Sequence, residues 1–469
     1  MATAVQWRGT DRVLLGLLCA VQFVLIVDVV VVNIAVPSIQ ADLAVPGSFL
    51  QLTSVAYTVV FGILLIVAGR AGDLFGRRRV LLLGLTVFTV MSLLCGLAQA
   101  GWWLFAARAG QGLGAAMVSS NAMALLVGIF AEGELRNRAL GIWAAVSSAG
   151  AIAGQVLGGV VTEFIGWRGI FLINVPFGVL VVAVALRLLP EVKAEASSRV
   201  DVLGGVLLVV TLGGMSLLLA DVADGASGIL VPAVVVLAGL AAVLVMVERR
   251  HPEPVLPGAL LARRSVSVAN LVLMLNAAAT TAGLYFTTLT MQNEMGYSPL
   301  QTGFGFAPVT LIVLLLSPRA GALVGRIGAR RLLLIGSATA GTGLLVLVFT
   351  AHGEGTYWTG VLPGLALLAA GNGLSYAPTF SLATAVPEDE HGRASGLINT
   401  AQELGSATGL AVLASVAALG ALGGLGGFST GYLAAALAAF AAGLLAIAAS
   451  ESASAMGPSP SSRETRAEL

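Results

Sequence analysis

Fourteen stretches of mostly apolar residues follow one another along the chain, near 13–36, 50–69, 80–99, 102–127, 139–162, 169–189, 202–221, 229–248, 267–291, 303–319, 332–350, 358–382, 394–421 and 427–449. A helix of about 20 such residues crosses the hydrocarbon core of a bilayer. Backbone surrounded by lipid must satisfy its own hydrogen bonds, so each stretch is expected to be a helix and the fold an all-α integral membrane one. Composition agrees. Of the residues 58% are hydrophobic and only 10% charged, against about 25% charged in a soluble domain. The first run follows Arg8 and Arg12, as a signal peptide would, but it exceeds the roughly 7–15 apolar residues of such a segment and reads as a retained span.

The basic residues test the count. With the N-terminus on the cytoplasmic side, every one of the 24 Lys and Arg residues except Arg108 and Arg168 falls in a cytoplasmic segment. That asymmetry is the positive-inside pattern, and removing any span would scramble it. Both termini are therefore expected to be cytoplasmic.

Several function classes drop out. A net charge of +1 without a basic block argues against nucleic acid. Cys19 and Cys95 lie inside apolar runs, and His251, His352 and His391 sit in separate loops, so no metal site or disulfide framework is expected. The single lysine, Lys193, is not part of a phosphate-binding Gly-Lys-Ser/Thr loop, which leaves an ion gradient or passive movement as the driving force. The loops are short and carry no catalytic cluster, so neither an enzyme nor a cofactor is expected. The tail at 451–469 has the composition of a disordered segment.

The chain also repeats itself. The loop after the second span reads Gly69-Arg-Ala-Gly-Asp73-Leu-Phe-Gly76-Arg77-Arg78-Arg79, and the one after the tenth reads Gly321-Ala-Leu-Val-Gly325-Arg326-Ile-Gly328-Ala-Arg330-Arg331. Glycines and arginines recur at matching offsets, eight spans apart. The parse is a six-helix bundle at 1–190, two inserted helices with their linkers at 191–265, a second six-helix bundle at 266–450, and the tail.

Parallel six-helix halves resemble the major facilitator superfamily, whose substrates bind near the midplane between the halves. The 69–79 loop resembles its signature G-x-L-x-D-x-x-G-R-R/K-x-R/K. Three further stretches resemble its fourteen-helix drug:proton antiporters. They are Asp28-Val-Val-Val-Val-Asn33-Ile-Ala-Val-Pro37, Arg108-Ala-Gly-Gln111-Gly112-Leu-Gly114-Ala-Ala, and Trp167-Arg168-Gly-Ile-Phe171-Leu-Ile-Asn174-Val-Pro176. In the fifth span Gly150, Gly154, Gly158 and Gly159 resemble the antiporter motif G-x-x-x-G-P-x-x-G-G, with Gln155 in place of the proline. Glycines so spaced line one helix face and admit close approach of another helix; generic small-residue packing accounts for them nearly as well. The resemblance implies a proton-coupled exporter of small amphipathic or cationic compounds in a bacterial inner membrane, acting as a monomer. It also implies a cytoplasmic latch built by Asp73 and Arg77 with Gly69 and Gly76. Gly325 replaces the acid in the second copy, whose latch should be weaker. An uptake permease of the same fold is the alternative, and a sodium ion the alternative coupling ion. Arginine far outnumbers lysine, and alanine and glycine abound, as in a GC-rich genome, which suggests self-resistance to an antibiotic.

Three charges fall well inside spans: Asp28, Arg108 and Glu403. Each costs at least ~2.5 kcal/mol to insert, so function is the default expectation. Counting from span ends at ~1.5 Å per residue, Asp28 lies ~12 Å and Arg108 ~9 Å from the same surface, near enough in depth to pair. Glu403 faces them from the second half, ~14 Å deep. A carboxylate beside an arginine holds its charge better than one buried alone, which makes Glu403 the readier proton acceptor. A buried ion pair that merely fixes packing is the competing reading. Asn33, Gln111, Gln155, Asn276, Tyr285, Asn372, Tyr376 and Asn399 are expected to contribute to a substrate cavity, with interhelical hydrogen bonding the equal alternative for the amides and ordinary apolar packing the leading alternative for the tyrosines.

Overall fold

The computed structural model describes residues 9–45, 47–130, 134–191, 201–223, 230–251, 254, 258–351, 356–383, 386, 391–422 and 426–448. The proposed tail at 451–469 lies outside them. The elements are α1 (Gly9–Leu43), α2 (Gly47–Phe75), α3 (Arg77–Gly96), α4 (Gly101–Ile129), α5 (Glu134–Phe164), α6 (Trp167–Leu172), α7 (Asn174–Leu188), α8 (Val202–Ala223), α9 (Leu230–Arg250), α10 (Gly258–Leu261), α11 (Arg264–Leu289), α12 (Pro299–Ile327), α13 (Ala329–Thr350), α14 (Leu362–Ala383), α15 (His391–Leu422) and α16 (Gly427–Ala448). Two π-helical turns, Thr290–Glu294 and Tyr357–Val361, extend α11 and precede α14. Helices α6 and α7 act as one span, Trp167–Leu188, and α8 supplies the only span too short in its apolar stretch, Val202–Leu218, to rank with the other 13 among the described residues.

The two halves pack by one scheme. In the first, α1 lies on α5, α2 and α3 on α4, and α3 on α7. In the second, α11 lies on α15, α12 and α13 on α14, and α13 on α16. The halves meet along two seams, α2 with α15 and α5 with α12. The inserted α8 packs on α2, α15 and α9, so the insertion flanks the first seam. Val55, Val59 and Ile63 of α2, Leu208 of α8 and Ala407 and Ala411 of α15 form one apolar cluster there.

The repeated loops agree at the backbone. Gly76 and Gly328, which share an offset, have φ values of 99° and 85° and begin α3 and α13. A side chain at either would strain that left-handed turn, so glycine is required in both.

Contacts between the halves differ from one membrane face to the other. On the face away from the arginine-rich loops, Gln292 donates to the Ile34 carbonyl at 2.9 Å, and the Leu300 amide donates to Glu163 at 3.2 Å. Nearer the middle, the Thr310 hydroxyl donates to Gln155 Oε1 at 3.0 Å. Toward the arginine-rich face, Gly141 of α5 and Gly321 of α12 have open space around them, and Ile142, Leu314 and Leu315 are exposed. The α5–α12 seam is closed on one side and open on the arginine-rich side.

Candidate coupling site and substrate path

Asp28 of α1 and Arg108 of α4 meet at 2.7 Å, 0% and 1% exposed. Gln111, one turn beyond Arg108, locks the pair. Its Nε2 donates to Asp28 Oδ1 at 2.8 Å and its Oε1 accepts from Arg108 Nη1 at 2.7 Å. Asn174, at the start of α7, donates to the same Asp28 oxygen at 2.6 Å, and Ser92 of α3 accepts from Gln111 at 2.8 Å. The guanidinium lies 4.2 Å from the centroid of Tyr57 on α2, a cation–π contact strengthened by its dry setting. Five helices thus converge on one ion pair. Asn174, Ser92 and Tyr57 had no functional expectation; a polar or aromatic group facing a charge inside apolar helices was the signal present. Two buried polar atoms here lack a partner, Arg108 Nε and the Tyr57 hydroxyl.

Glu403 lies across the α2–α15 seam. Its side chain packs where Gly62 of α2 leaves room, and a methyl group at that glycine would collide with it. It is half-buried, with no hydrogen bond or ion pair among the described residues. It is close enough to Tyr57 of the first half and Tyr376 of α14 to act on both electrostatically. Thr400, one turn earlier, anchors the seam by donating to the Gly62 carbonyl at 3.1 Å.

The other expected cavity residues divide. Tyr376 is 47% exposed and stacks on Phe380 at 4.8 Å, and Asn399 is exposed. Asn33 and Asn372 are half-buried, the latter accepting from the Thr280 hydroxyl at 2.8 Å. Gln155 sits on the α5–α12 seam. Asn276 and Tyr285 stand on the buried side of that division. Asn276 is buried and donates to Ser337 of α13 at 3.1 Å, and Tyr285 is buried in the apolar core beside Phe286. In this conformation both side chains are turned into the second bundle, in keeping with the alternatives of interhelical hydrogen bonding and apolar packing.

The glycines of α5 have two roles. Methyl groups at Gly150, Gly154 and Gly158 would come within 3.3, 3.0 and 3.0 Å of Phe23, Val30 and Val31 on α1. Gly159 instead faces α12, where a methyl would meet the Pro299 carbonyl at 2.7 Å. One short motif therefore fixes a helix pair within a half and the seam between halves.

In the 69–79 loop, Arg77 bonds Asp73 at 3.0 Å and the Ala124 carbonyl of α4 at 3.2 Å. Gly69 approaches Ser120, and a side chain at Gly72 would overlap Asn121. All these partners belong to the first half. In this conformation the Asp73–Arg77 pair braces α2, α3 and α4 and does not bridge the halves. On the opposite face, Arg168 pairs with Asp42 at 2.6 Å and caps the Ala98 carbonyl at 3.0 Å, so the one arginine outside the basic loops is held by a local acid.

A family model described as Major Facilitator Superfamily matches residues 18–410. The chain belongs to that superfamily. It is 37% identical over 415 residues to a cephamycin export protein of Amycolatopsis lactamdurans, covering 86% of this chain and 85% of that one. A multidrug resistance protein of Mycobacterium tuberculosis is 37% identical over 398 residues, with coverage of 84% and 73%. A puromycin resistance protein of Streptomyces alboniger is 35% identical over 416 residues, with coverage of 87% and 81%. These relatives place the chain in the drug-exporter subgroup of the superfamily. The fold matches a POT family transporter, PepTSo, with TM-score 0.70 at 14% identity, covering 95% of this chain and 98% of that one. It also matches a bacterial homolog of the lysosomal transporter Spinster, inward-facing and unoccupied, with TM-score 0.65 at 14% identity and coverage of 95% and 96%. This major facilitator chain is a multi-pass membrane transporter, and transport is not enzyme chemistry.

Proposed function

We propose that this chain is a proton-coupled secondary exporter of small amphipathic or cationic compounds, antibiotics among them, working by alternating access as a monomer in a bacterial cytoplasmic membrane. The observation that carries the reading is the contrast between an Asp28 carboxylate held by Arg108, Gln111 and Asn174 and a Glu403 that has no hydrogen bond or ion pair among the described residues, facing it across the α2–α15 seam. Two carboxylates against one guanidinium leave one negative charge between the halves, which a proton or a cationic substrate neutralises. An unpaired half-buried carboxylate is the cheaper of the two to protonate, since no ion pair is lost. The relatives named for drug resistance and antibiotic export support the direction of transport.

Under this reading the bundles at 1–190 and 266–450 rock about the midplane, with the 191–265 insertion riding on the α2–α15 side. The arginine-rich face is cytoplasmic, with both termini on it. When that face closes, the Asp73–Arg77 loop meets the second half and latches it. The test is transport by purified protein in liposomes under an imposed pH gradient. Efflux of ethidium driven by the gradient and abolished by a protonophore supports exchange; drive by sodium alone defeats proton coupling. Gln155, where the antiporter motif has proline, favours the uptake alternative. Accumulation in intact cells with and without uncoupler separates the two, because an exporter accumulates more substrate when uncoupled and an importer less.

A further inference from the structure

One well-formed cavity lies away from the ion pair. It is a groove of about 690 Å³ between the halves of α1 and α5 nearest the arginine-rich face. That volume lies within the roughly 300–1,000 Å³ of sites for drug-sized ligands. Its origin is the glycine ladder of α5. Gly150, Gly154 and Gly158 bring α1 and α5 into backbone contact from Phe23 to Val31, and below Gly150 the two helices diverge. The walls of the wedge are apolar, with Leu15 and Phe23 on α1 and Ile142 and Val146 on α5. Its rim carries two exposed arginines, Arg12 and Arg138, neither with a hydrogen bond or ion pair among the described residues. In sequence, Asp11 precedes Arg12 and Glu134 lies four residues before Arg138, whereas the groove lining itself carries the two arginines and no acid. From Arg12 to Phe23 the groove runs ~17 Å along α1, and Asp28 follows ~7.5 Å further along the same helix.

We propose that this groove binds a small apolar carboxylate, its head between Arg12 and Arg138 and its body against Phe23, Ile142 and Val146. Arginine suits the head because its fork accepts a carboxylate by paired hydrogen bonds. The occupant is a transported molecule and not a membrane lipid, because the groove ends within a drug-sized volume where α1 and α5 come into backbone contact at Phe23. The site extends the exporter reading to anionic amphiphiles. It rests on that reading for its role in transport, whereas binding is measured independently.

The reporter is Gly16→Cys in full-length protein, since Gly16 lines the groove, is exposed and has open space where a side chain would go. The rate at which an uncharged maleimide modifies that cysteine is read by mass spectrometry, which separates it from the buried Cys19 and Cys95. In phosphatidylcholine nanodiscs, pyrenebutyrate should slow the modification, and pyrenemethylamine, of similar body and opposite charge, should not. Arg12→Gln with Arg138→Gln should weaken pyrenebutyrate protection about tenfold, the effect of two exposed ion pairs. Arg12→Lys with Arg138→Lys should retain most of it, and the unchanged melting temperature of each variant serves as the folding control. Equal protection by the amine, or full protection after both glutamine substitutions, overturns the proposal. Protection by phosphatidylglycerol nanodiscs alone, with no further effect of pyrenebutyrate, assigns the groove to lipid and overturns it too. Protection without transport of pyrenebutyrate leaves the site standing and counts against the exporter reading.

Discussion

In the first half, Asp28 is held by three donor side chains at 2.6–2.8 Å; in the second, Glu403 has no hydrogen-bond partner among the described residues, although the two bundles pack by the same scheme. The loops differ the same way. In the 69–79 copy an acid, an arginine and a carbonyl are joined, and neighbouring side chains crowd the glycines. In the 321–331 copy Gly321, Gly325 and Gly328 stand in open space. The backbone turn at Gly76 and Gly328 is common to both. Packing constraints act on both copies alike, whereas a charge in a membrane persists only where something uses it. Under the proposed exporter reading, one half holds a charge and the other changes one.

The largest expected effect follows from removing the guanidinium. Arg108→Ala strands Asp28 in a dry site and should lower stability by about 3–5 kcal/mol, whereas Glu403→Ala, which breaks no bond, should cost about 1 kcal/mol or less. Thermal unfolding of both variants in one detergent reads the difference, and equal melting temperatures would end the contrast between the halves.

Asp28→Asn comes next. Pairing with Arg108 persists through the amide oxygen, so the protein should reach the membrane, yet gradient-driven efflux should fall to background. Full drug resistance from a well-expressed variant removes Asp28 from the mechanism.

Glu403→Gln sharpens the comparison. It should bind a neutral substrate normally and a monocation about tenfold more weakly, the influence of a unit charge ~10 Å away at an effective dielectric near ~20. Proton release on adding substrate to the solubilised protein should fall while the melting temperature holds. Normal proton release from the folded variant would leave Asp28 as the carrier; a joint drop in release, binding and melting temperature would make Glu403 a packing residue.

The smallest effects belong to the loops. Asp73→Ala removes a partly exposed pair worth about 1 kcal/mol or less, and should raise labelling of a Gly141→Cys reporter from the arginine-rich face. Unchanged labelling counts against the latch. Gly325→Asp alone should do nothing, since the position matching Arg77 is Ala329. Adding Ala329→Arg should restore a pair and lower the same labelling.

Much of the fold was legible because lipid leaves the chain few options. Runs of apolar residues become spans, and the repeated Gly and Arg offsets mark the two halves before any contact is known. The site was partly legible for the same reason, since Asp28, Arg108 and Glu403 are conspicuous where charge is costly. For Asn276 and Tyr285 the sequence left cavity lining and helix packing both open, because a polar or aromatic residue on a helix declares its type and not its direction. Only their facing α13 and the second core shows that they hold helices together.

By itself, then, the sequence determined the solvent, the number of spans, the duplication and the ionisable residues, all of them properties of composition and spacing. The tertiary structure alone decided which helices converge. It placed Gln111, Asn174 and Tyr57 around the ion pair, left Glu403 without a hydrogen-bond partner among the described residues, and turned three glycines of α5 into the wedge beneath Phe23. The reason is geometric. Spacing along a helix says which residues share a face, but the facing helix is set by packing summed over the whole bundle.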